Sequence, residues 1–171
     1  MVIVFTGDGK GKTTASLGQM VRIVGQDRRA LMLQFIKGPW IAGEDKFAKK
    51  TSEFEIVKGG KGFVGILGDS LPFEVHKEAA EKILARAKEE IRSQKWDLVV
   101  LDEVNVAVDL KLIEAKDVLN ILEDLPMHKF VILSGRNAPQ EFIDRADLAT
   151  EMREIKHPYE GGELALKGVE F

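Results

Sequence analysis

Gly7-Asp8-Gly9-Lys10-Gly11-Lys12-Thr13-Thr14 follows the apolar run Met1-Val2-Ile3-Val4-Phe5. The order is that of a buried strand, a glycine-rich turn and a helix starting on Thr13 or Thr14. Glycines let successive backbone N–H groups curl inward with no Cβ in the way. Those donors join the positive end of the helix dipole around one anion. Lys12 adds a full charge at the rim, and the Thr13 hydroxyl is placed to ligate the Mg²⁺ that accompanies phosphates. The stretch therefore reads as a phosphate-binding loop with one irregularity. The usual spacing G-x-x-x-x-G-K-[ST] would put the first glycine at Thr6, whereas it comes at Gly7. A glycine-rich turn with no ligand is the competing reading, and it leaves the joint arrival of strand, turn, lysine and helix unexplained.

Outward from the loop, apolar residues recur at helical spacing over 13–24, and Gly25 is the expected stop. Residues 30–36 form a buried strand, parallel to the first if the intervening helix is a right-handed crossover. The stretch 37–44, with its Gly and Pro, reads as irregular and lies where open α/β sheets bind ligands. A short strand is expected at 54–57. Residues 58–69 then contain five glycines with Phe63, Ile66 and Leu67 between them. A loop this apolar is either mobile or closed over something. Ser70 and Pro72 open a long amphipathic helix to about residue 94, with Lys77–Glu81 and Glu78–Lys82 expected to pair on its wet side. A strand from 96 ends in Asp102-Glu103. A helix at 113–124, a strand at 130–133, a short helix at 139–146 and a strand at 148–155 follow, and the tail 156–171 has no period. Together these predict one domain over residues 1–171, an α/β three-layer P-loop NTPase (RecA-like) fold with a mostly parallel sheet of about six strands.

The bulk composition agrees and excludes some functions. The chain has 171 residues, 44% hydrophobic and 31% charged, which suits one globular core rather than disorder. Lys plus Arg is 25 against 28 Asp plus Glu, a net charge of −3, so there is no global attraction to nucleic acid. Cysteine is absent, which removes disulfides, thiolate catalysis and cysteine-held metals. No apolar stretch reaches membrane length, and the first residues read as strand rather than signal peptide, so a cytoplasmic protein is expected.

The apolar strand ending in Asp102-Glu103 looks like the second half of a nucleotide site. A carboxylate at that strand end reaches the Mg²⁺ beside the β- and γ-phosphates, directly or through water. If the strand continued, the two side chains would point to opposite faces and only one would be the direct ligand. The guanine-reading string N-K-x-D is absent, so adenine is favoured. Arg22 lies about two and a half turns up the first helix and is open to two readings, in the site or on the surface. Arg136 follows Gly135 at a strand end, either beside phosphate or as a surface charge. Trp40 and Phe63 are either plugs over the core or ligand contacts. His76, His128 and His157 lack metal-ligand spacing and read as structural.

At this point the chain resembles the P-loop ATP:cob(I)alamin adenosyltransferases, or corrinoid adenosyltransferases. Residues 7–14 look like that family's phosphate loop, shortened spacing included. Gln34-Phe35-Ile36-Lys37-Gly38, Trp40 and Gly43-Glu44 are similar to its second block. Val99-Val100-Leu101-Asp102-Glu103, Ser134-Gly135-Arg136, Ala146-Asp147, Lys156-His157 and Lys167-Gly168-Val169-Glu170-Phe171 match further blocks. The resemblance implies a homodimeric enzyme that moves the 5′-deoxyadenosyl group of ATP onto the Co(I) of a corrinoid, with Mg²⁺ or Mn²⁺ assisting and a flavoprotein supplying the electron. It implies catalytic roles for Lys12, Glu103 and Phe63. Nucleotide or corrinoid contacts are implied for Gly7, Asp8, Gly9, Lys10, Gly11, Lys12, Thr13, Thr14, Arg22, Lys37, Trp40 and Arg136. Metal contacts fall on Thr13, Glu103 and Asp102.

Two departures stand out. Family members pair loop aromatics as Gly-Phe-x-Trp to remove the lower ligand from cobalt, but Gly62-Phe63-Val64-Gly65 has glycine in the second place, with Ile66 or Leu67 expected to fill the space. Many members also carry a segment before the first strand, and here a corrinoid lid is expected to come from elsewhere. The competing readings are a P-loop ATPase or kinase, with Glu103 polarising water or a hydroxyl, and an ATP-dependent switch or translocase module. The net charge of −3 counts against the translocase.

Overall fold

The computed structural model describes every residue except Pro39, Leu67, Asp124, Glu163, Glu170 and Phe171, and leaves the side chains of Tyr159 and Glu160 undescribed. Leu67 as the loop filler and the closing Glu170-Phe171 therefore lie outside the described residues.

Six strands, β1 (Val2–Thr6), β2 (Ala30–Gln34), β3 (Phe54–Lys58), β4 (Leu98–Asp102), β5 (Phe130–Ser134) and β6 (Leu148–Glu151), form one sheet in the order β3-β2-β4-β5-β1-β6. Every pairing is parallel, so the mostly parallel sheet is wholly parallel. All five residues of β2 and of β4 are buried. Strands covered on both faces read as continuous apolar runs, which is why these two were visible in the sequence.

The period-two alternation divides β4 between two cores. Leu98 and Val100 join Phe5, Met32 and Ile132 beneath α1 (Lys12–Val24), which contributes Met20. Val99 and Leu101 join Val4, Leu33 and Leu133 on the opposite face. That side is covered by α3 (Phe73–Arg92) through Ala80, Ile83, Ala87 and Ile91, and by α5 (Ala115–Leu122) through Val118 and Leu122. Phe142 of α6 (Gln140–Arg145) belongs to the same core. The result is the helix–sheet–helix layering expected from the sequence. Among the described residues no helix is long and apolar enough to cross a membrane.

Several boundaries differ from the expectation. The stretch 37–44 is not wholly irregular, because α2 (Gly43–Ala48) begins inside it, with the Asp45 carboxylate accepting from the Ala42 N–H at 2.7 Å. A second short helix, α4 (Val104–Asp109), follows β4 directly. Neither spans two turns, so neither leaves a readable period. The expected strand at 148–155 ends at Glu151. Of the two ion pairs expected on α3, Lys82–Glu78 is present at 3.7 Å between exposed side chains.

Parallel strands bring their carboxyl ends to one edge. Gln34 faces Asp102 in register, and Phe5 faces Ser134. The ends of β2, β4, β5 and β1 are therefore consecutive neighbours, and the loops leaving them crowd one edge of the sheet.

Candidate active site

The phosphate loop leaves β1 one residue later than the usual spacing predicts because Thr6 stays in the sheet. Thr6 pairs with Glu151, its carbonyl accepts from the Met152 N–H at 2.8 Å, and its hydroxyl accepts from the Ala138 N–H at 3.1 Å. Gly9 then donates its N–H to the Met152 carbonyl at 2.7 Å. A Cβ on Gly9 would meet that carbonyl oxygen at 2.7 Å and the Arg153 backbone at 2.8 Å. The turn is thus walled by the backbone that continues β6, and glycine is needed there for this close approach.

Lys12 opens α1 and is folded back, with its ammonium donating to the Gly7 and Gly9 carbonyls at 2.7 Å each. It is only 7% exposed. Burial pulls its pKa below the usual lysine range; Glu103 opposes this, and Arg136 adds to it.

Asp102, fully buried at the end of β4, is the hub of the site. Its Oδ1 accepts from the Thr13 hydroxyl at 3.0 Å and from the Ser134 hydroxyl at 2.7 Å, and its Oδ2 accepts from Gln34 Nε2 at 3.0 Å. With its proton committed to Asp102, the Thr13 hydroxyl keeps its lone pairs for another partner. Gln34 Oε1 is buried with no hydrogen-bond partner among the described residues, which places a spare oxygen acceptor beside the hub.

The strand does not continue through Glu103. Its φ of 62° turns the chain into the left-handed region, and the next residue begins α4. The turn is held by the Glu103 N–H donating to Ser134 Oγ at 3.2 Å. Asn105 ties the same corner to two loops, donating to the Gly135 carbonyl at 2.9 Å and the Phe5 carbonyl at 3.4 Å. Burial, with Asp102 next, pushes the Glu103 carboxyl up to about 7, while Lys12, Lys37 and Arg136 pull it back.

Lys37, just past β2, also pairs with Glu44 at 3.2 Å. Three residues on, Trp40 lies against Phe63 with ring centroids 6.2 Å apart and planes tilted by 35°. The rings are 64% and 47% exposed, and Ile41 after Trp40 and Ile66 three residues past Phe63 are exposed as well. Neither aromatic is a plug over the core. They form an apolar ledge on two loops at the ligand edge.

The structure places Gly7 through Thr14, Asp102, Glu103, Lys37, Arg136, Trp40 and Phe63 at this edge. Arg22 is not brought to it: it lies in the last turn of α1, exposed, at the end away from the loop. Sequence reasoning missed Ser134 and Gln34 as partners of Asp102, and Asn105 as the tie. A polar residue closing an otherwise apolar buried strand was the available signal for the first two.

A family model described as ATP:corrinoid adenosyltransferase BtuR/CobO/CobP matches residues 1–171. Corrinoid adenosyltransferase from a Sinorhizobium species is 38% identical over 177 residues, covering 100% of this chain and 80% of that protein. Corrinoid adenosyltransferase from Escherichia coli strain K12 is 31% identical over 172 residues, covering 100% of this chain and 85% of that protein. Corrinoid adenosyltransferase CobA from Salmonella typhimurium strain LT2 is 32% identical over 172 residues, with the same coverage of each chain.

Proposed function

The chain belongs to the ATP:corrinoid adenosyltransferase family, and on that premise we propose that the loop at residues 7–14 holds the triphosphate of ATP while the Trp40–Phe63 ledge receives the corrinoid. The reaction is transfer of the 5′-deoxyadenosyl group of ATP to Co(I) of the corrinoid, which family membership favours over ATPase, kinase or switch chemistry. Co(I) contributes an electron pair to C5′, the bond from C5′ to the α-phosphate oxygen breaks, and triphosphate leaves whole. The substrate brings its own nucleophile, so the protein's tasks are alignment and stabilisation of the leaving group.

The observation that carries the assignment of residues is the Lys12 ammonium folded onto the Gly7 and Gly9 carbonyls of the loop, with the exposed Trp40–Phe63 pair on the same edge of the sheet. A polyphosphate suits the ammonium. A flat, largely apolar macrocycle suits the rings. Lys12 exchanges its loop carbonyls for phosphate oxygens, and Lys37 and Arg136 add charge as the leaving group develops. Asp102 orients the Thr13 hydroxyl, and with two of its three donors on Oδ1 it keeps acceptor capacity on Oδ2.

A hard divalent cation, Mg²⁺ or Mn²⁺, fits the oxygen donors of Thr13, Glu103 and Asp102 and the spare acceptor of Gln34. Among the described residues no three His, Cys, Asp or Glu gather to hold a metal, so these oxygens would share the ion with bound phosphates. Such an ion would supply charge neutralisation of the polyphosphate. A homodimer of this chain and a flavoprotein that reduces the corrinoid complete the reading.

A corrinoid difference spectrum under reducing conditions tests the proposal. With MgATP present the cobalt–carbon product spectrum is expected, with Lys12→Ala and Trp40→Ala each suppressing it. A spectrum independent of ATP, or both variants acting like the parent, would remove the site assignment.

A further inference from the structure

We propose that Asp69 and His76 form a latch that fixes the loop carrying Phe63, so that both are positioning residues for the corrinoid and not for ATP; this rests on the reading of Phe63 as a corrinoid contact. The loop leaves β3 at Lys58 and reaches α3 at Phe73. Its entry leg is pinned to the end of β2 and the residues just past it: the Gly59 and Gly60 N–H groups donate to the Gln34 carbonyl at 2.9 and 3.1 Å, and Gly62 donates to the Ile36 carbonyl at 3.0 Å.

Its exit leg is pinned by one carboxylate. Asp69 Oδ2 accepts from the Gly65 N–H at 2.8 Å and lies 3.0 Å from His76 Nε2, while Oδ1 accepts from the Leu71 N–H at 3.1 Å. His76 sits in the first turn of α3 and is 3% exposed, so the anchor point is rigid.

Phe63 and Val64 are the two residues between the pins, and Val64 packs against the core on the α3 side. Gly62 and Gly65 adopt φ of 112° and 70°, conformations that glycine enters and leaves freely. The backbone here supplies little stiffness of its own, and ordering it must be offset by contacts. The Gly65 and Leu71 N–H groups, with His76 a smaller contributor, hold the Asp69 carboxyl below its usual range, as charge-assisted bonds do. The ring of Phe63 is therefore presented by a short tether whose exit end depends on Asp69 and His76.

The test compares His76→Leu, His76→Gln, Asp69→Asn and Phe63→Ala in the full chain. Steady-state KM is measured for ATP and for chemically reduced corrinoid, and trypsin cutting after the exposed Lys61 is followed without ligands. Leucine fills the space without a donor, whereas glutamine can still donate to Asp69. Losing a charge-assisted bond is expected to raise the corrinoid KM and the cutting rate on the order of tenfold in His76→Leu and Asp69→Asn, with the ATP KM within about twofold. His76→Gln should recover most of both losses. Equal effects of His76→Leu and His76→Gln, or parallel rises in both KM values, would overturn the latch. Thermal melts identify a misfolded His76→Leu, and Asp69→Asn then decides. Phe63→Ala separates the two ideas. A corrinoid KM raised there but unchanged in both latch variants removes the latch alone. One unchanged in Phe63→Ala removes the corrinoid reading of the loop.

Discussion

At Glu103 a strand, a helix and a strained backbone meet in one residue, and the carboxyl is left in a place where its charge is costly. Its folded pKa of about 7 stands above the ordinary 4.5. The folded chain therefore binds this proton more tightly than the unfolded chain does. The stabilising effect of the protonated group is fully present below about 4.5 and is lost as pH rises through about 7. Glu103→Gln carries no such penalty. Urea unfolding should show the variant more stable than the parent at pH 8 by roughly 3 kcal/mol, the gap closing toward pH 4.5. Turnover should fall in the same variant. Equal stabilities at pH 8 would contradict the burial of a charged carboxyl at this corner. Lys12 shows the same tension, as a buried cation held by two carbonyls. Lys12→Ala should reduce kcat/KM at least about a hundredfold while the melting midpoint stays close to the parent's, since a costly buried charge leaves with the bonds.

The phosphate loop and the end of β6 behave as one element. Gly9 touches the Met152 carbonyl and the Arg153 backbone, and Met152 is bonded back to Thr6. Gly9→Ala should push this wall outward, destabilising the fold by about 1–3 kcal/mol and weakening ATP binding together. Paired urea unfolding and nucleotide titration would check this, and loss of ATP binding with unchanged stability would place the role of Gly9 with phosphate alone.

Lys129 is a second hidden tie. It is buried at the start of β5, and its ammonium donates to the Ser93 carbonyl at 2.7 Å and to the Trp96 carbonyl, joining the end of α3 to the sheet. Lys129→Met should cost roughly 1–3 kcal/mol in urea unfolding, because a buried and a half-buried carbonyl lose their donor. No cost would show that they find other partners.

These ties mark where the sequence ceased to be readable. Strands buried on both faces announce themselves by apolar runs, and the loop by its glycines and lysine. The end of β6 did not, because residues 152–155 keep a strand-like pattern while their backbone turns to the loop. The six-residue helices α2 and α4 are too short to show a period. The direction of Glu103 stayed open, because strand alternation applies only if the strand continues and a positive φ ends it at this residue.

Across the whole molecule, the parallel sheet makes the site by bringing four strand ends side by side. The order β2-β4-β5-β1 lines up Gln34, Asp102, Ser134 and the phosphate loop, residues that lie far apart in the chain. Asp102 and Glu103 were legible as a pair from the strand they terminate. Their partners were not, because lateral neighbours in a parallel sheet are set by strand order, which local pattern does not encode. The two aromatic rings of the ledge likewise come from loops after β2 and β3, adjacent only because those strands pair. With glycine at position 65, Trp40 is the second ring beside Phe63.

In the proposed function, one edge of this sheet aligns C5′ of ATP with cobalt and releases the triphosphate intact. Attack on the γ-phosphate would instead cut the terminal P–O bond and give ADP. Phosphorus NMR of a single turnover with reduced corrinoid, MgATP and the enzyme separates the two directly. Inorganic triphosphate should form in step with the cobalt–carbon bond, in equal amount, and Lys12→Ala should suppress both signals. ADP and orthophosphate accumulating without corrinoid, and no triphosphate with it, would contradict the account.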